Sequence, residues 1–184
     1  MKQAASISFA VAALALGLTF APAVSQAQPA PAFTPVPMAK PDFSSIMFTT
    51  GTWNCTQMLR GSKRPDTSTT TVGMDGMWMV SQDVAPPFDK YRTYPINSTT
   101  YTTYDPTVKQ WVQLQIDSGG GYGMSTATGW DGNTMTWTTK NLDGSSATDT
   151  FTKVSETQTT DDITTTDPQG HMAKLRIDCS KSSS

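Results

Sequence analysis

Residues 172–179 read Met172-Ala173-Lys174-Leu175-Arg176-Ile177-Asp178-Cys179. In an extended chain successive side chains point to opposite faces. Leu175, Ile177 and Cys179 therefore share one face, and Lys174, Arg176 and Asp178 share the other. The alternation predicts a strand with one face in an interior and the other in solvent. Backward from Leu175, Ala173 and His171 fall on the inward side. Near the other end of the chain, Gly51-Thr52-Trp53-Asn54-Cys55 puts Trp53 and Cys55 on one face of a second strand. Cys55 and Cys179 are the only cysteines of the 184-residue chain. A bond between them sets the first and last strands side by side, as in a sheet closed on itself.

Between these segments, β-rich runs alternate with turn signals at intervals of 8–14 residues, the spacing of a sandwich or barrel. The runs predict ten strands: 52–59, 67–73, 78–84, 97–104, 110–117, 123–130, 134–139, 147–155, 158–165 and 172–179. Asp75-Gly76, Asp131-Gly132 and Asp143-Gly144 supply the positive φ of tight hairpins. Pro65 is read as part of a turn over 63–66, and a short helix, capped by Asp42 or Ser44, is read over 42–47. Composition agrees with sheet. Threonine, a β-former, occurs 31 times, while charged residues make up 15% against about 25% in ordinary domains. The net charge of −2 excludes a strongly basic nucleic-acid binder.

The N-terminus reads as a signal peptide over 1–27. Lys2 supplies the positive charge, Phe9 to Phe20 the apolar run, and Ser25 and Ala27 the small residues before a cut at Gln28. The apolar run is short of the ~20 residues of a spanning helix, so no membrane span is expected after cleavage. A periplasmic or secreted location follows. Residues 28–44 carry five prolines and read as an extended tether, with a barrel domain over 45–184. In an exported chain, an even pair of cysteines is most simply a disulfide between Cys55 and Cys179.

The opening Gly51-Thr52-Trp53, followed by Tyr104-Asp105-Pro106, Trp111 and Gly129-Trp130-Asp131-Gly132, resembles a bacterial family of exported lipocalin-like domains of unknown function. Its wider relatives are calycin barrels, including the nitrobindin-like ten-stranded barrels. The resemblance spans roughly residues 45–180. It implies an all-β, up-and-down antiparallel barrel with a central cavity, in which Trp53 packs at the closed end. The family has no established activity to carry over.

Three readings of function follow. In the first, Trp111, Tyr122, Met124, Trp130, Trp137 and Phe151 face inward and line a cavity for a small hydrophobic molecule. In the second, His171, the only histidine, holds haem for nitric-oxide chemistry, as a late-strand histidine does in nitrobindin-like barrels. In the third, the barrel is filled and serves as a structural or interaction module. Catalysis has little support: there is no Gly-x-Ser-x-Gly elbow, no zinc spacing and no phosphate-cradling loop. Most carboxylates are assigned to turns, and Asp161-Asp162 is a weak calcium pair.

Overall fold

The computed structural model describes residues 39–59, 61–87 and 93–183. The segment 1–27 read as a leader, and the proline-rich tether up to residue 38, lie outside the described residues. The described chain is all-β. Its strands are β1 Gly51–Leu59, β2 Ser62–Gly73, β3 Trp78–Ala85, β4 Ile96–Asp105, β5 Gln110–Asp117, β6 Tyr122–Ala127, β7 Trp130–Asp131, β8 Thr134–Lys140, β9 Ser146–Ser155, β10 Gln158–Thr166 and β11 Met172–Lys181.

Ten of these close into an antiparallel barrel. The ring runs from β1 to β6 and from β8 to β11, with β1 paired to β11 and β6 paired to β8. Two-residue β7 is a spur beside β8. Closure pairs most strand edges that could otherwise template association with another chain. The first and last strands meet in full register: Trp53 faces Lys181, Cys55 faces Cys179 and Gln57 faces Ile177. Cys55 and Cys179 form the expected disulfide. The β6–β8 seam is far slighter, with two residue pairs, Ser125 with Thr139 and Thr126 with Thr138.

Three local expectations change. Pro65 stands within β2, opposite Thr56, rather than in a turn. The pairing of β2 with β3 begins only at Thr67, so at Pro65 the strand has one neighbour and a missing N–H breaks no ladder. The strand expected over 123–130 stops at Ala127 and resumes as β7, because Gly129 takes a φ of +126°. The helix expected over 42–47 is a turn followed by one 3-10 turn, Met47–Thr49, although Asp42 does accept a hydrogen bond from the Ser44 amide at 2.9 Å.

That N-terminal turn plugs one end of the barrel. Phe43 and Ile46 are buried with Met79, Trp111, Ala127, Met135 and Trp137, and Tyr104, Trp130 and Phe151 pack around them. Phe43, assigned from sequence to the tether, is thus part of the barrel floor. Trp53 is buried at the same end, where its indole N–H donates to the Thr49 carbonyl at 2.8 Å. Lys181 braces the plug from β11: its ammonium donates to the Phe48 carbonyl at 3.0 Å and lies 5.5 Å from the Trp53 ring centre. Each large apolar side chain buried here contributes roughly 1.5–3 kcal/mol.

Candidate functional site

The inward positions change character along the barrel. At the plugged end they are Met79, Trp111, Met135 and Trp137, large enough to fill the lumen. Elsewhere around the lumen, on β1–β5, β9 and β10, they become Gln57, Asp66, Asp83, Ser98, Gln115, Asp149 and Asp161. Shorter polar side chains leave the lumen unfilled there, and a cavity of about 330 Å³ results. Its floor is Ile46, Trp53, Met79, Met135, Trp137 and Phe151. The size falls within the ~300–1,000 Å³ of small-molecule sites.

Four carboxyl groups on four strands line this cavity: Asp66 on β2, Asp83 on β3, Asp149 on β9 and Asp161 on β10. Asp66 accepts a hydrogen bond from Gln57 Nε2 at 2.6 Å on one oxygen, while its other oxygen is buried without a partner among the described residues. Gln57 is held in turn by the Arg64 guanidinium on its Oε1. Asp83 accepts from Ser98 Oγ at 3.3 Å. One oxygen of Asp149 is also buried without a partner among the described residues.

Burial penalises the charged form of each group. It raises Asp66 and Asp83 from their ordinary value, against hydrogen bonds from Gln57 and from Ser68 and Ser98 that lower them. It pushes Asp149 up to about 7, with repulsion from Asp162 adding to the effect. Asp161 is raised well above its ordinary value, first by burial and then by the charges of Asp149, Asp162, Asp83 and Asp178.

Two of the six predicted cavity aromatics and their companions line the space: Trp137 and Phe151. Trp111 instead belongs to the floor packing, with its ring 5.5 Å from Tyr104 and 6.2 Å from Phe43. Trp130 sits behind the cavity, 5.8 Å from Phe151 and 5.9 Å from Phe48. Tyr122 and Met124 correct the expectation outright: they are 62% and 55% exposed, on the outer face of β6 opposite Ile116 and Leu114. Small residues of that strand take the inward positions, since Ser125 bonds Thr139 at 2.7 Å and Ala127 is buried.

His171 also departs from its expected inward position. It lies in the turn between β10 and β11, its side chain 81% exposed and its Nδ1 2.8 Å from Asp167 Oδ2. The strand begins one residue later, at Met172, so the parity argument does not reach it. An imidazole on an outer turn does not fit an axial ligand for haem inside the barrel. Among the described residues no three His, Cys, Asp or Glu side chains are arranged to hold a metal ion.

The four cavity aspartates are what the sequence reading missed. Parity carried the signal: Asp149 alternates with Phe151, and Asp161 with Thr159 and Ile163. Carboxylates are almost never buried unless paired, so Asp83 and Asp149 draw no reading from the sequence and Asp161 is weighed only with Asp162 as a calcium pair.

No protein-family model matches the sequence, and no curated protein matches it. Solved structures do match. An S-type phycobiliprotein lyase, CPES, from Guillardia theta superposes with a TM-score of 0.54 at 7% identity, over 74% of this chain and 90% of that one. EF1p2_mFAP2b bound to DFHBI matches with a TM-score of 0.35 at 16% identity, over 75% of this chain and 97% of that one. The first likeness shows a shared lipocalin-like barrel fold.

Proposed function

We propose that this barrel is a non-catalytic binder of a small molecule, held in the cavity between its plugged floor and the opposite rim. One observation carries the reading: the lumen is filled at one end and hollow at the other, with about 330 Å³ of space over an aromatic floor. A structural module needs no such vacancy, because unfilled volume forfeits packing energy. The apolar part of the ligand rests on Ile46, Trp137 and Phe151, and its polar part meets the threonine, glutamine and aspartate side chains above. The ligand is therefore amphipathic rather than wholly hydrophobic. The barrel works outside the cytoplasm. The Cys55–Cys179 disulfide supports that location, since such bonds persist in oxidising compartments.

The test is native mass spectrometry of the full chain purified gently from its own host, beside a Thr100→Trp variant that fills the cavity. A co-purifying small molecule on the wild type and none on the variant is the expected result. Equal recovery on both places the molecule elsewhere and overturns the reading.

A further inference from the structure

The cavity wall formed by β8, β9 and β10 has an ordered pattern. Trp137 stands opposite Asp149 in the β8–β9 ladder, and Phe151 stands opposite Asp161 in the β9–β10 ladder. Asp149 and Phe151 are two residues apart on β9 and share a face. Two aromatic rings and two carboxyl groups therefore alternate on adjacent inward positions, with diagonal partners ~7–8 Å apart by sheet geometry. From β2, Asp66 adds a carboxyl that is only 9% exposed, with one oxygen lacking a partner among the described residues. Asp66 itself is among the residues lining the cavity, and its partnerless oxygen is buried in the wall.

We propose that the cavity selects an organic cation, a primary or secondary amine on an aromatic or aliphatic body, with its ammonium between Asp149 and Asp161 and its body against Trp137 and Phe151. This rests on the small-molecule reading above and names the ligand class for the same site. An ammonium donates up to three hydrogen bonds and accepts none, the complement of carboxylate oxygens without donors. Aromatic faces attract the same charge through their quadrupoles. An anionic ligand would instead add a negative charge beside four carboxyl groups. A neutral hydroxyl can donate one hydrogen bond to a carboxyl oxygen, but it brings no charge to oppose the carboxylates.

The amine keeps its proton and drives the carboxyl protons off, so binding strengthens as pH rises from 5 to 8. The groups that set this dependence are Asp149 on β9, Asp161 on β10, Asp66 on β2 and Asp83 on β3, with Asp162 and Asp178 acting through the wall and paired outside to Arg176. Arg64, tied to Gln57, is the cationic neighbour on β2.

The experiment is calorimetric titration of the full chain with three probes of one shape: 2-phenylethylamine, 2-phenylethanol and 3-phenylpropionate. The amine is expected to bind at least ten-fold more tightly than the alcohol at pH 8. In Asp149→Asn and Asp161→Asn that preference is expected to shrink to three-fold or less, with alcohol binding unchanged and the fold checked by circular dichroism. Alcohol or carboxylate binding as tight as the amine overturns the cation inference and leaves the small-molecule reading standing. A fragment set of neutral, anionic and cationic members that leaves the ring resonances of Trp137 and Phe151 unmoved overturns both.

Discussion

Asp161 on β10 stands directly opposite Phe151 on β9, and both side chains look into the same cavity. A partly buried carboxyl beside an aromatic ring is an unfavourable place for a lone negative charge. The arrangement makes the free barrel sensitive to pH.

Stability of the free protein should fall as pH rises. Asp149 has an ordinary value of 3.8 in an unfolded chain and about 7 in the folded one. The folded state therefore binds more protons between these values, so its contribution is full below pH 4 and is lost as pH passes through 7. Asp161, Asp66 and Asp83 shift the same way. Urea denaturation at pH 5 and pH 8 should show a loss on the order of a few kcal/mol at the higher pH. Asp149→Asn should remove part of it and be the more stable form at pH 8. Equal stability at both pH values would contradict the burial of these groups.

The disulfide should contribute heavily. Cys55 and Cys179 are 124 residues apart in sequence, and the chain-entropy account assigns about 4–5 kcal/mol to a closed loop of this order. A Cys55→Ala, Cys179→Ala double variant, melted beside the wild type, should lose that stability while keeping the β-sheet circular dichroism. A loss under 1 kcal/mol would mean that the β1–β11 ladder holds without the bond.

Hydrogen exchange should be uneven around the ring. The β6–β8 seam has two residue pairs, whereas β1 and β11 pair over seven positions. Amides of Tyr122–Ala127 should exchange well before those of β1 and β11, since regions with few pairings open locally first. Uniform protection would show that the seam is closed by more than this ladder.

Substitutions should separate the two faces of the sheet. Tyr122→Ser and Met124→Ser, on the outer face, should change stability by less than about 0.5 kcal/mol. Trp137→Ala, at a position 6% exposed, should cost about 3–5 kcal/mol in thermal or chemical melts. A large loss from the outer pair would reverse the assigned facing of β6.

Much of the barrel is legible before any coordinates. Strand positions follow from threonine-rich runs and from Asp-Gly turns, and the meeting of β1 with β11 follows from the parity of Trp53, Cys55, Ile177 and Cys179. Trp53 is buried, its indole N–H on the Thr49 carbonyl. The site is far less legible, because pattern reading assigns large apolar residues inward and acids outward. Strand β6 reverses the first rule, with Ala127 buried and Tyr122 exposed. Asp149 and Asp161 reverse the second. Pro65 misleads for another reason: whether a strand has one neighbour or two at a given residue is a property of the whole sheet, invisible in the local sequence.

The most direct test of an acidic, amine-binding cavity is the carboxyl carbon-13 NMR titration of Asp149 in the free protein and with saturating 2-phenylethylamine. A midpoint near 7 that moves downward when the amine is added is the predicted result. A midpoint at the ordinary 3.8, unmoved by the amine, would place that carboxyl in open water and contradict the account.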